Sequence, residues 1–197
     1  MAAHNEELIL GKKLDSIFSS DYPEEKIELI IGTDCCNDST DEIVSHFKAK
    51  HPNINHIVFE ERSGKVRIVN QLVKKAKNEI LVLTDANVLF SKDTLFELVK
   101  HFKNNEIGLV DSHMKNYGLS ETGISFPEQS YISLEVLLKD AEGRKFGSMM
   151  GPFGGCFAMR KKLFAEVPNN YLVDDFHISM NVLKSKAKCI HERKAIV

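Results

Sequence analysis

Asp34 follows the apolar run IELIIGT at 27–33, and Asp85 closes the run EILVLTD at 79–85. Carboxylates brought together repel unless a metal ion, sugar hydroxyls or base N–H groups offset their charge. Asn87 stands one residue past Ala86, so Asp85 and Asn87 can aim two hard oxygens at one magnesium or manganese ion from an extended or turning segment. Asp174 and Asp175 follow the apolar Tyr171-Leu172-Val173. Neighbouring residues face different ways, so one of the two can take a proton from a nucleophilic hydroxyl while the other starts a helix. Gly64-Lys65 sets a cation at a helix start, where backbone N–H groups also attract anions. The surrounding residues lack GxxxxGK[ST], which excludes a P-loop.

Each of these residues also has a plainer reading. An aspartate after a strand often starts the next helix, and this applies to Asp34 and Asp85. Asp38 and Asp41 read as turn and first-turn residues, and His177 as a structural or solvated histidine. Gly151-Pro152-Phe153-Gly154-Gly155-Cys156 is too glycine-rich for a helix or central strand and suits close backbone approach to a ligand or a neighbouring element. Cys35-Cys36 is vicinal and lacks the spacing of a zinc knuckle. No GxGxxG follows an expected strand, which leaves a dinucleotide oxidoreductase without support.

These residues must be held by regular elements. The 197 residues suffice for a buried core, and 43% hydrophobic against 27% charged composition indicates a globular chain. Twenty-six basic residues against 28 acidic ones remove the basic excess typical of nucleic-acid binders. No run of 18 apolar residues offers a membrane span, and the acidic start MAAHNEELIL is not a signal peptide.

Helical spacing of Leu10, Leu14, Ile17 and Phe18 predicts a first helix capped by Asn5. Strands are expected at 27–33, from 54 (INHIVFE), at 79–85 and at 107–112, and a last one at 188–191. Helices are expected after a Ser39–Glu42 capping box, from Gly64, after Ser91, over about 128–142 and near Asp175. Residues 113–127 read as polar and irregular. Alternation of this kind predicts an α/β layered sheet, whose ligands bind beyond the carboxyl ends of the strands.

Taken together, the motifs resemble the inverting family 2 glycosyltransferases, which have the GT-A nucleotide-sugar-binding fold. AAHNEE resembles the end of that family's first strand and its turn. LIIGTDCCNDSTDEI resembles the second strand and its Asp-Gly-Ser-x-Asp-x-Thr turn, with Asp34, Asp38 and Thr40 in matching places. Gly64-Lys65 with Asn70 resembles the Gly-Lys-x-x-x-x-Asn element, and ILVLTDANVLF the strand ending in Asp-x-Asp. GPFGGCFAMRKKLF is similar to the glycine-rich acceptor-side segment, and LVDDF to the element bearing the base.

The resemblance implies a mostly parallel mixed sheet flanked by helices, with the first strand missing ahead of AAHNEE. It implies a single catalytic domain over 1–197, nucleotide-binding in 1–112 and acceptor-side in 113–197. Asp34 would bind uracil or ribose, Lys65 would lie near the nucleotide, and Asp85 would meet the ribose or diphosphate. Asn87 would hold the metal-ligand position for Mg2+ or Mn2+ with Asp85. Asp175 would be the general base, Asp174 its support, and Gly154, Gly155 and Cys156 the acceptor side.

Transfer from a nucleotide-diphosphate sugar, with UDP as the expected carrier, would follow by one in-line attack with inversion. The acceptor would be a carbohydrate or lipid-linked hydroxyl; no nucleic acid is involved. The expected placement is cytoplasmic, and for a full-length protein with membrane helices it would be at the cytoplasmic membrane face. Cys35-Cys36 and Asn87 depart from the family pattern, and the Gln-x-x-Arg-Trp element of processive members lies beyond Val197. Two alternatives follow: a catalytically impaired nucleotide-sugar-binding fragment, and a nucleotidyltransferase. The open strand edge would favour an oligomer.

Overall fold

In the computed structural model the described residues are 1–115 and 126–197. The chain runs β1 (Ala2–Ala3), α1 (Leu10–Phe18), β2 (Leu29–Asp34), α2 (Thr40–Lys50), β3 (Ile54–Phe59), α3 (Lys65–Lys75) and β4 (Ile80–Thr84). It continues with α4 (Thr94–Val99), β5 (Ile107–His113), α5 (Phe126–Phe146), β6 (Cys156–Arg160), α6 (Asp174–Lys184) and β7 (Lys188–Ile196). The strands form two sheets of order β1-β2-β3 and β4-β6-β5-β7. Pairs β1–β2, β2–β3 and β5–β7 are parallel, whereas β6 runs antiparallel to both β4 and β5. The expected mostly parallel mixed sheet with flanking helices is therefore present, and β6 supplies the mixture.

All six residues of β2 are buried because both faces of the strand are covered. Leu29 and Ile31 join a core that includes Leu10, Leu14, Ile17 and Leu98, while Ile30 packs with Ile68 and Leu72. Gly32 lets α3 settle onto β2, since a Cβ there would lie 2.5 Å from Ile68 Cγ2. That close approach brings the amino end of α3, with Gly64 and Lys65, beside the last residue of β2, Asp34. A third core joins Leu109, Met149, Phe157, Met159, Ile178 and Val182 around the second sheet.

Several local expectations change. Asn5 does not cap α1: the residue before that helix is Ile9, and the Asn5 side chain instead accepts the Asn37 N–H at 3.0 Å. Ser39 makes no side-chain cap on α2; Asp38 accepts the Thr40 N–H at 3.0 Å and the Glu7 N–H at 3.1 Å. The amino-terminal turn and the turn after β2 are thus stitched together. Of the first strand, expected to be missing, Ala2 and Ala3 are present and pair with Gly32 and Thr33. β6 was not expected, because glycines precede it; once they end, Cys156 and Ala158 face one core and Phe157 and Met159 the other. The last strand extends well past 191, to Ile196. The irregular reading of 113–127 falls outside the described residues for 116–125.

Candidate functional site

The carboxyl ends of β1, β2 and β4 open on one cavity of about 290 Å³, lined by His4, Glu6, Asp34, Arg62, Lys65, Asp85 and Asn87 among others. Glycines hold two of the candidate carboxylates, Asp85 and Asp175, in place. The Asp85 N–H donates to the Gly155 carbonyl at 2.9 Å, which ties the turn after β4 to the glycine-rich run before β6. One residue earlier, Gly154 has φ +83°, and a Cβ built there would sit 2.5 Å from Asp175 Oδ2. Asp175 therefore lies against backbone that only glycine can offer. Gly154→Ala should displace this carboxylate, and thermal melts should show a loss of about 1–3 kcal/mol.

Lys65 links the two ends of the site. Its ammonium pairs with Asp85 Oδ1 at 2.7 Å. Burial works against that charge, yet the bond and attraction to Asp85, joined by the fields of Asp174 and Asp175, outweigh it and hold the Lys65 pKa above its ordinary value. Asp174 and Asp175 form the first turn of α6, where the helix dipole favours negative charge. The Asp175 pKa is nonetheless raised, first by burial and then by Asp174, against the opposing Phe176 N–H and Lys65. A carboxylate so placed is a stronger base than an exposed aspartate.

Asp34 is more engaged than its sequence position suggests. Its Oδ1 accepts the Ser63 N–H at 2.6 Å and its Oδ2 the Gly64 N–H at 3.0 Å, satisfying free donors ahead of α3. Arg62 Nη1 pairs with Oδ2 at 3.1 Å. The plainer reading thus holds for Asp34 in part, since it ties down the start of α3. Arg62 was not anticipated; nothing in the sequence links it to a residue 28 positions earlier.

Asn70 is a clamp remote from the chemistry: its Nδ2 donates to the Val167 carbonyl at 2.8 Å and its Oδ1 accepts the Val167 N–H at 3.0 Å. Cys156 also leaves the expected group. Its side chain is buried in the core, and burial pushes its thiol up to about 12. Of the three residues expected on the acceptor side, Gly154 lies against Asp175 and Gly155 bonds the Asp85 backbone.

Two further supports escaped sequence reading. Lys13 of α1 is fully buried and donates to Thr84 Oγ1 at 2.8 Å and to the Val88 carbonyl. It grips the segment carrying Asp85 and Asn87 from both sides. Asp111, within β5, accepts the Phe153 N–H at 3.3 Å and pairs with His191 Nδ1 at 3.3 Å, anchoring the glycine-rich run.

The donor set sets limits on a metal. Among the described residues, no three His, Cys, Asp or Glu side chains converge as a metal site. Asp85 and the exposed Asn87 offer one carboxylate and one neutral oxygen beside Glu6, whose pKa is raised by burial and by Asp85 and Asp38. This fits a hard divalent cation that completes its shell with water and ligand phosphate oxygens, and not a cage closed by protein alone.

The fold and the arrangement of acidic groups at its strand ends define a nucleotide-diphospho-sugar transferase-like domain. The model for "Glycosyl transferase family 2" matches residues 1–167, and the chain belongs to that family. A poly-beta-1,6-N-acetyl-D-glucosamine synthase from Staphylococcus epidermidis is 27% identical over 163 residues, covering 82% of this chain and 38% of the synthase. The chain thus spans well under half the length of that curated relative.

Among solved structures, a mannosyltransferase from Pyrobaculum calidifontis, in complex with GDP-Man and Mn2+, superposes with a TM-score of 0.81. It is 24% identical and the match covers 99% of this chain and 54% of that one. S. aureus TarS 1-349 in complex with UDP gives 0.74 at 18% identity, over 100% of this chain and 59% of TarS. These likenesses establish the GT-A-like fold. No helix among the described residues is long and apolar enough to cross a membrane.

Proposed function

We propose that this chain is the donor-binding and base-bearing part of an inverting glycosyltransferase that uses a UDP-sugar. The observation that carries the reading is Lys65, whose ammonium is bound to Asp85 and feels the carboxylates of Asp174 and Asp175. One cation thereby marks the distance between a diphosphate site and a base. Residues 1–112 would hold the nucleotide and 113–197 the acceptor. Asp34 would meet the nucleoside when Arg62, more than half exposed, swings away from it. UDP is favoured over GDP because the relative matched over 82% of this chain builds an N-acetylglucosamine polymer and TarS was solved with UDP.

The chemistry is one displacement. Asp175 accepts the proton of an acceptor hydroxyl as that oxygen bonds to the anomeric carbon, while the bond from that carbon to the diphosphate oxygen breaks. Attack from the side opposite the leaving group inverts the centre. Burial, with Asp174, keeps the Asp175 pKa up, and Lys65 offers positive charge to the departing phosphate. A divalent cation held by Asp85 and Asn87 with the diphosphate oxygens would offset the remaining charge.

Asp85→Ala should weaken UDP binding in the presence of Mn2+ by about 10- to 100-fold, measured by titration calorimetry with GDP and ATP as controls. Unchanged UDP affinity in a folded variant would show that the nucleotide binds elsewhere. Tight UDP binding with no transfer to any acceptor would favour a binding protein without turnover.

A further inference from the structure

The glycine-rich run 147–155 meets the site at one end and is gripped by charged side chains behind it. Its first residues are tied through backbone: the Gly147 N–H donates to the Gly143 carbonyl at 3.0 Å, and the Met149 N–H to the Cys189 carbonyl at 3.1 Å. From Met150 to Phe153 side chains take over. Glu142 accepts the Met150 N–H at 3.3 Å, Lys139 donates to the Gly151 carbonyl, and Asp111 accepts the Phe153 N–H at 3.3 Å. The last two residues meet the carboxylates, Gly154 against Asp175 and the Gly155 carbonyl on the Asp85 N–H.

Lys139 is the unusual member of this set. Its side chain is only 8% exposed, and its ammonium stands 4.0 Å from the centre of the Phe153 ring and 3.5 Å from Glu135 Oε1. A buried cation costs several kcal/mol unless fixed partners replace its water. Here two of those partners, a carbonyl and an aromatic face, belong to the run itself. Asp111 is wholly buried, and burial pushes its pKa up against His191, Lys139 and the Phe153 N–H. Pro152 lies between the two anchored residues and restricts the backbone that joins them.

We propose that Lys139 and Asp111 are positioning residues for Asp175, acting through the backbone from Gly151 to Gly154. The inference rests on Asp175 as the base. With Gly151 and Phe153 pinned and Pro152 stiff between them, the place of Gly154 is fixed, and Gly154 sets how closely Asp175 is covered. Phe176 rests on the same run, since a Cβ at Gly151 would lie 3.3 Å from its Cδ2. The first turn of α6 is therefore supported at two points. Freed of Lys139, the run shifts, Asp175 gains water, and its aim at an acceptor hydroxyl is lost.

The test compares Lys139→Met with Val136→Ala, which removes packing from the buried face of the same helix and none of the bonds to the run. Both should lower the thermal midpoint. Only Lys139→Met should alter the titration of the Asp175 carboxyl, followed by its carbon resonance, and that titration should move to lower pH as burial is relieved. The sign separates two causes, because losing a nearby positive charge would by itself move a carboxyl titration to higher pH. In a preparation that transfers sugar, kcat should fall by about 10- to 100-fold with UDP affinity unchanged. An Asp175 titration that stays put, moves to higher pH or moves equally in Val136→Ala would overturn the assignment, as would a kcat equal to the parent's. Should Lys139→Met fail to fold, Pro152→Ala decides, since it changes no charge and frees the backbone between the two anchors. Movement to lower pH then supports the assignment, and none contradicts it. A parent protein that binds no UDP would count against the donor reading alone, because the Asp175 titration reports the clamp without any nucleotide.

Discussion

Asp175→Asn is expected to lower glycosyl transfer by about 10²- to 10⁴-fold while leaving UDP affinity near that of the parent protein. The amide keeps the shape of the side chain against Gly154 and loses only the capacity to accept the acceptor's proton. Steady-state kinetics and calorimetry on the same preparation separate the two effects. A parallel loss of nucleotide affinity would place Asp175 in donor binding instead.

The same residue dictates a pH profile. Burial and Asp174 raise its pKa, so kcat/KM should fall on acidification through one ionisation above the usual aspartate range. Stability runs the other way. With its folded pKa raised, the native state binds the proton more tightly than the unfolded chain does, and stability falls as pH rises from the unfolded value through the folded one. Asp175→Asn should therefore melt no lower than the parent at neutral pH.

Lys13→Met should have the second large effect, on stability and on the donor site together. Burial pushes the Lys13 pKa down to about 7 against the counteracting fields of Cys156 and Asp85. The unfolded chain holds this proton to far higher pH, so the contribution of Lys13 to stability rises with pH above about 7 until the unfolded lysine titrates. The parent's stability curve should climb relative to the variant's by about 1 kcal/mol per pH unit between pH 7 and 9. Denaturant unfolding across that window measures the difference. Methionine fills much of the same volume but cannot donate to Thr84 and the Val88 carbonyl, so the Asp85–Asn87 turn loses its tie to α1. Nucleotide affinity should drop as a result. Parallel stability curves for parent and variant would mean that Lys13 stays charged in its pocket.

The elements that position the site were legible because their apolar periods are strong. ILVLT reads as a strand covered on both faces, and Val69, Leu72 and Val73 as one face of a helix. β6 was hidden by the four-residue apolar and small run that follows three glycines, since its partner strands β4 and β5 lie far away in sequence. Helix caps misled for a related reason: Asn5 and Asp38 spend their side chains on a neighbouring turn. That choice is set by tertiary contact and not by local sequence.

The carboxylates at strand ends were legible as a group, because an open α/β sheet exposes those ends to ligand. Their partners were not. Arg62 on Asp34 and Lys13 behind Thr84 are joined to the site through folding over 28 and 71 positions. A lysine within an amphipathic helix reads as solvated until its burial is seen. Cys156, expected with Gly154 and Gly155 on the acceptor side, is turned into the core by β6, whose pairing no local signal shows.

Paramagnetic broadening by Mn2+ is the most direct test of the site. The account predicts that substoichiometric Mn2+ added with UDP broadens the backbone amides of Ala86, Asn87 and Gly155 first, with weaker effects at Lys65 and Asp175. Mn2+ without UDP should do so only at much higher concentration, because the protein supplies one carboxylate and one amide. Broadening centred on any other part of the molecule, or none in a folded sample saturated with UDP, would contradict it.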